Sequence, residues 1–553
     1  MGLGVASIPP VDKSFRVILI SDQEETLDKV MCTSLGVHAV GALNFWPDTS
    51  SQNGALMGVM KRIATEMPLS DLPTMRLFLQ FGFEFISRNM RECIIPPDAD
   101  LSVPTWLEGT DYRQHRKDEL LRVWDDYIML LPRDYRIACH VKWEPYTEPK
   151  HFRGIYSRSD VFKCYFGPLC AYIGKIMFRL KWFVKYDDIA TKIERMREHL
   201  DNQFVKIFTN DFSSFEATFV ALLMELELFF FEFCLQAHPR KDEFMEVLRK
   251  IKIGENDLIF KTFLCKLLAK RYSGEMDTSL CNSVANLIIM CFLLRMAGHE
   301  PEFYEEQFPP KVEGDDSIGA YLYDLDESLL LKIGAKAKME VFESYNEASF
   351  CGVCFGAPDG SVVRDPIKVL LDFGLTNYMY VGSSVLTRLK LIRAKSLSLL
   401  YSYPGCPVLK SLAKFGLRIT SHIEDKHALY KKAKTATDSY ERAHWRKLLT
   451  IDFDNLIDVP IHLESRFMVE KKFGVCVAHQ KELENYLDNK DDYSPLVHPL
   501  IGELAGQARV EHYYKYTKNL TKNEVQYEEK ESSFQFIRSR IANVLDTLKG
   551  NPP

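Results

Sequence analysis

The chain is expected to fold as an α+β protein, and three stretches carry that expectation. Phe204-Val205-Lys206-Ile207-Phe208-Thr209-Asn210-Asp211 is rich in β-branched and aromatic residues, as strands are. Pro310 to Tyr321 sets apolar or β-branched residues on both sides of Gly314-Asp315-Asp316, the pattern of a hairpin with a tight glycine-acid turn. Ala217 to Gln236 is a Leu/Phe-rich run too long for a strand, and a core helix is the natural reading. The chain has 553 residues, 46% hydrophobic and 12% aromatic. That is room for about three or four domains, or one large multi-lobed enzyme.

Composition narrows the function classes. A net charge of −6 does not advertise nucleic-acid binding, so any basic surface must be local. The 13 cysteines lie mostly in apolar stretches and read as reduced thiols rather than a disulfide framework. Cys351 and Cys354 form a C-x-x-C with no second pair at zinc spacing, so they read as core or turn cysteines. No run of 18 uncharged apolar residues is present, and no transmembrane segment is expected. Met1 to Ser7 lacks the basic region and apolar core of a signal peptide. Gly2 fails the myristoylation pattern because Ala6 precedes Ser7.

In chain order, residues 1–110 mix a short strand, Phe15 to Ile20, with helical stretches around 54–66 and 73–90. Pro96-Pro97 and Pro104 punctuate the end of that region. Arg113, Arg116 and Lys117 give a basic start to a helical run through Trp124, either a solvated helix end or a phosphate-contacting surface. From His140 to Arg158, Lys142, Lys150, Arg153 and Arg158 recur with Glu144 between them, and Pro145, Pro149 and Gly154 break any continuous helix. Such a loop is either plain surface or a triphosphate clamp, Arg giving forked contacts and Lys a point charge.

Asp211 closes its strand, where an acid serves as a helix cap or as a metal ligand at a sheet edge. Residues 239–262 are charged and mixed, the pattern of a peripheral helical insertion. Ser273-Gly274 then feeds a helix whose N-terminal end carries Thr278 and Asn282, four apart and on one face. Those groups either cap a buried helix or face a sugar. Gly314-Asp315-Asp316 puts two carboxylates at a turn, the oxygen ligands that Mg²⁺ prefers, although Gly-Asp is also ordinary turn chemistry. Ser328 to Ile333 reads as a helix closed by Gly334, with Lys336 and Lys338 after it and short strands over 339–345 and 348–355. Beyond about residue 376 the pattern is helical. Lys426–Lys447 holds seven Lys or Arg against two acids, a candidate RNA-backbone contact. Ile537, Ile541, Val544, Leu545 and Leu548 form the stripe of a terminal amphipathic helix.

In this order, the Lys/Arg loop, the strand ending in Asp, the Ser-Gly-x-x-x-Thr-x-x-x-Asn helix, the Gly-Asp-Asp hairpin, the helix-Gly-Lys segment and the Phe-Cys-Gly hairpin form a series. The series resembles that of RNA-dependent RNA polymerases of positive-strand RNA viruses, nearest to the tombusvirus/nodavirus-like and flavivirus-like branches. It runs from about Lys142 to Cys354. The resemblance implies a right-hand fold. Fingers with an N-terminal extension would occupy 1–200, palm 201–235, a fingers insertion 236–265, palm again 266–375, and a mostly helical thumb 376–553. The palm would be an antiparallel sheet backed by helices.

The implied activity is RNA-directed RNA synthesis from ribonucleoside triphosphates, in replication of a viral RNA genome. A non-catalytic RNA-binding replication protein is the alternative from another class, and a reverse transcriptase the alternative among enzymes. The resemblance assigns Asp211, Asp315 and Asp316 to two Mg²⁺ ions, with Mn²⁺ as a substitute. It assigns Lys142, Lys150, Arg153 and Arg158 to the triphosphate, Ser273, Thr278 and Asn282 to the ribose hydroxyls, and Glu216 to sensing the 2′-hydroxyl directly or through Asn282. Lys338, preferred over Lys336, would protonate pyrophosphate. Phe350-Cys351-Gly352 would grip the primer. Partners would be template and nascent RNA and other viral replication proteins, at membrane-associated complexes in the host cytoplasm that those partners recruit. One position departs from the pattern: the acid five residues beyond Asp211 is Glu216 rather than Asp. Were the match displaced by one residue, Phe215 would stand there as a gate against ribose.

Overall fold

The computed structural model describes residues 10–20, 32–40, 52–142, 144, 151–355, 361–436 and 439–505. Lys150, Gly2 and the stripe from Ile537 to Leu548 lie outside them. The protein is a mixed helix-and-strand molecule, 53% helical, with several small sheets.

A four-stranded antiparallel sheet organises the middle of the chain, in the order Ala337–Phe342, Lys206–Phe212, Asp316–Tyr321, Lys311–Glu313. Ile207 to Asn210 are all buried, so the second strand is covered on both faces until it opens to solvent at Asp211. The helix Thr278–Met296 backs one face, where the Asn210 amide donates to Met290 Sδ at 3.2 Å. Leu280 to Leu294 of that helix are buried without interruption, as expected of a helix apolar on every side. By length and composition it would also span a bilayer, but 83% of its apolar window is buried inside the protein. Helices Leu72–Asn89 and Ala221–Cys234 pack behind it.

A second sheet runs Arg16–Leu19, Phe263–Leu268, Glu255–Ile259, Ile137–Val141, Gly154–Ser157. Its separate core includes Phe15, Leu56, Ile137, Tyr156, Leu258 and Tyr272. The expected helical insertion over 239–262 is corrected here. Helix Lys241–Lys252 gives way to the strand Glu255–Ile259, which pairs parallel with Ile137–Val141. The helix expected from Ala217 to Gln236 is also divided, into Phe215–Thr218 and Ala221–Cys234.

From Pro366 to Ala505 the described chain is mostly helical. The basic stretch forms helices Asp425–Thr435 and Ser439–Leu448. Four of its cations serve the protein itself. Lys432 pairs with Glu441, Arg442 donates to Asp111 O and Ala436 O, Arg446 pairs with Asp111, and Lys447 pairs with Asp188. The contacts to Asp111 and Asp188 tie the helical region back to the first two hundred residues. Cys351 and Cys354 are both free thiols.

Candidate active site

Strand register builds the site. Asn210 pairs with Ser317 and Thr209 with Ile318, so the next step sets Asp211 opposite Asp316. Lys338 lies opposite Asp211 on the other side, and Glu313 lies opposite Asp316. Residues directly opposite in neighbouring strands share a face, with Cα atoms about 4.5–5.5 Å apart. One cross-strand row therefore reads Lys338, Asp211, Asp316, Glu313. Lys336 precedes the strand, and only Lys338 stands opposite the aspartate.

Gly314 and Asp315 form the two-residue turn that joins Glu313 to Asp316. Gly314 has φ +64°, while Asp315 is not among the positive-φ residues. This is the combination of a type II′ hairpin, which needs glycine first. The Gly314 N–H donates to Ser283 Oγ at 2.9 Å, and its carbonyl accepts from Asn286 Nδ2 at 3.1 Å.

Three carboxylates on adjacent strands repel one another. Burial among neighbouring atoms raises the Asp315 carboxyl above the usual aspartate range, and Glu216 and Asp211 add to it while Arg153 opposes. Crowding, then Asp315, pushes Asp316 up to about 6, eased by a hydrogen bond from Cys351. Glu313 and Asp211 contribute further. Asp211, Asp315 and Asp316 nevertheless stay open to solvent. Water at these exposed groups softens the shift. The sign for the metal-free protein follows. Folded Asp316 keeps its proton up to about pH 6, against an ordinary value of 3.8. The native state thus binds more protons than the unfolded chain across that window, and stability falls as pH rises through it. Thermal melts between pH 4 and 7 should show this fall without Mg²⁺ and a smaller one with it.

Hard oxygen donors with unbalanced negative charge suit a divalent cation. Among the described residues, the group of acids and thiols whose ligand atoms all lie within 4.8 Å of one another is a different one, Glu227, Asp277 and Cys281. The Asp211, Asp315 and Asp316 oxygens are spread more widely. Two ions about 3.5–4 Å apart can use ligands so spread. The compact group is already filled by cations of the protein. Lys252 pairs with Glu227 at 2.8 Å and with Asp277, and Arg271 pairs with Glu227 and lies 3.5 Å from Asp277. All four side chains are buried and their charges cancel.

Glu216 is bonded to the Ser-Gly turn, its Oε1 accepting from Ser273 Oγ at 2.8 Å. Phe215 is buried, its ring 4.5 Å from Phe212 and 5.0 Å from Phe219, so it is core and not a gate over a sugar. Gly274 has φ +122°, and a Cβ there would stand 2.7 Å from Tyr156 O, so only glycine lets the turn dock on strand Gly154–Ser157. Thr278 Oγ1 donates to Tyr272 O at 3.1 Å and accepts from Gly274 N at 3.3 Å, which makes it a staple of that turn. Asn282 is 8% exposed, and its Oδ1 is a buried atom with no hydrogen-bond partner.

The basic loop separates into two roles. The Lys142 N–H donates to Arg153 O at 2.7 Å across the mouth of a hairpin, and Glu144 lies between their side chains, 2.9 Å from Lys142 Nζ and 3.4 Å from Arg153 Nη1. Arg153 acts electrostatically on Asp315. Arg158, expected in the same clamp, is 4% exposed and committed elsewhere. It donates to Glu275 Oε1 at 2.6 Å, to Asn256 Oδ1 at 2.7 Å and to Tyr135 O. A triphosphate would have to break all three, so Arg158 anchors the strand instead. Arg158→Ala should cost about 2–3 kcal/mol in urea unfolding, as lost charged hydrogen bonds do. Lys338 is exposed and bonds Glu340 Oε1 at 2.6 Å. The Phe350-Cys351-Gly352 turn has Cys351 at φ +51° and Gly352 at +73°, and Cys351 Sγ donates to Glu313 Oε2 at 3.6 Å.

Sequence reasoning passed over Glu313, Ser283 and Asn286. Glu313 was visible in principle, since a two-residue turn sets the residue before Gly314 opposite Asp316. Compared with known proteins, the chain matches no family model and no curated sequence.

Proposed function

We propose that this chain is an RNA-directed RNA polymerase of the right-hand type, joining ribonucleotides at the row of acids described above. One observation carries the reading. An acid at the open end of a covered strand stands opposite a hairpin that presents two more acids, with an arginine and an acid-bound Ser-Gly turn at the same place. Phosphoryl transfer needs charge neutralisation and positioning more than covalent chemistry, and this set offers both. In the proposal, Lys206–Phe212 and the Gly-Asp-Asp hairpin belong to the palm, 1–200 and 236–265 mostly to fingers, and 376–553 to the thumb.

Divalent ions held by Asp211, Asp315 and Asp316 would supply Lewis acidity toward the attacking hydroxyl and the leaving oxygen. Arg153, with Lys142 beside it, neutralises the triphosphate, and Glu144 holds the two cations until substrate competes for them. Asn282 Oδ1 accepts from a ribose hydroxyl, which would satisfy an otherwise stranded buried oxygen. Lys338 holds a proton at Nζ for the pyrophosphate, exchanging Glu340 for the leaving group. Arg153→Ala should raise the nucleotide KM about tenfold with kcat nearly unchanged, because it removes one charge-assisted contact.

The test is incorporation of labelled ribonucleotides on an RNA template with Mg²⁺. A product from wild type but not from Asp315→Asn supports the reading. RNA binding with no product, and Asp315→Asn indistinguishable from wild type, means a non-catalytic RNA-binding protein. Preference for deoxynucleotides means a reverse transcriptase.

A further inference from the structure

We infer that Ser283 and Asn286 are positioning residues for the acid pair, holding the Gly-Asp-Asp turn by its backbone so that Asp315 and Asp316 present their oxygens to divalent ions. The inference rests on the polymerase reading of the same site. Both polar backbone groups of Gly314 are taken by this one helix, the N–H by Ser283 and the carbonyl by Asn286. The two side chains are three apart, hence neighbours on one helix face, and both are 0% exposed. The helix that carries them is fixed in the core by a continuous run of buried residues.

A Cβ added at Gly314 would meet nothing within 4 Å, so that side of the tip is open. The base of the hairpin is held independently. Val312 N donates to Trp182 O at 2.8 Å, Val184 N donates to Val312 O at 3.3 Å, and Lys192 pairs with Glu313. Against this anchored base, Asp211, Asp315, Asp316 and Glu313 push one another apart. Two hydrogen bonds to the Gly314 backbone oppose that push at the tip, beyond the Glu313–Asp316 ladder pair at its base. Metal ligands must hold their geometry to about 0.5 Å, and a turn fixed at its tip as well as at its base meets that tolerance better.

Direct Mn²⁺ binding, followed by electron paramagnetic resonance on the full chain without nucleotide or RNA, reads this geometry apart from activity. Asp315→Asn sets the baseline. Ser283→Ala, which strands the Gly314 N–H, should weaken Mn²⁺ about tenfold and raise the half-saturating Mg²⁺ for synthesis by a similar factor. Nucleotide KM at saturating metal should stay within about twofold. Asn286→Ala should weaken Mn²⁺ at least about threefold and keeps the inference testable if Ser283→Ala fails to fold. Mn²⁺ affinity within twofold of wild type in a folded variant of either residue overturns the inference. If the wild type adds no ribonucleotide to RNA, the polymerase reading fails. If it does so while these variants keep their Mn²⁺ affinity, only the positioning role fails.

Discussion

Asp315→Asn is expected to abolish ribonucleotide addition, by at least about 10³-fold, while RNA affinity stays within about twofold. The side chain changes by one atom, so the type II′ turn and its clasp on Ser283 and Asn286 survive. What is lost is one anionic oxygen donor at the tip. A metal-bound transition state draws several kcal/mol from such charge stabilisation, and each 1.36 kcal/mol is a factor of ten. On the polymerase reading RNA affinity should hold, because phosphates are attracted by cations and removing a negative charge does not weaken that attraction. Single-nucleotide extension and a filter-binding titration, run on one protein preparation, measure both halves. A comparable fall in RNA binding would show that Asp315 supports the RNA surface rather than the chemistry.

Asp277→Ala should be the most damaging substitution for stability, costing about 3–5 kcal/mol, as removal of one partner from a buried ion pair does. Burial alone would lift the Asp277 carboxyl, but Lys252 and Arg271 outweigh it and hold it far below the usual aspartate range. Burial likewise works against the Lys252 charge, and Arg271 repels it, yet Asp277 and Glu227 keep it above the ordinary lysine range. Without Asp277, two buried cations face one carboxylate. The sign for acid follows from the lowered carboxyl: its stabilisation is full above the unfolded pKa and is lost as pH falls. The midpoint of urea unfolding, compared at neutral and acidic pH, measures both. An unchanged midpoint in Asp277→Ala would mean that water enters the cluster and solvates the spare charge. The loss would spread to the site, since Arg271 and Asp277 bracket the turn that carries Ser273 and Gly274.

Local patterns were legible wherever neighbours in sequence are neighbours in space. The strand expected over 204–211 is found at Lys206–Phe212, and the Gly-Asp-Asp hairpin has the turn that its glycine calls for. The helical pattern expected beyond about residue 376 is found, among others, in Val385–Ser402. Residues 255–259 were misread because Glu255, Asn256 and Asp257 give the strand a polar start, although it forms a hairpin with Phe263–Leu268; only its second partner, Ile137–Val141, lies more than a hundred residues away. Arg153 and Arg158 lie five apart and look alike as letters. One stays at a hairpin mouth beside the acids, while the other turns inward to Glu275 and Asn256. Ser283 and Asn286 look like polar residues in an apolar helix, and their use is apparent only once the turn above them is in place.

By itself, the order of residues determined where the acids, the cations and the two critical glycines stand along the chain, because turn geometry and strand alternation act within a few positions. The tertiary structure alone decided which of those charges share a surface. Strand register set Asp211 opposite Asp316, and the packing of one buried helix against the sheet set the hydrogen bonds at Gly314. Electrostatic force depends on separation through space, and a chain brings distant residues within that range only by folding.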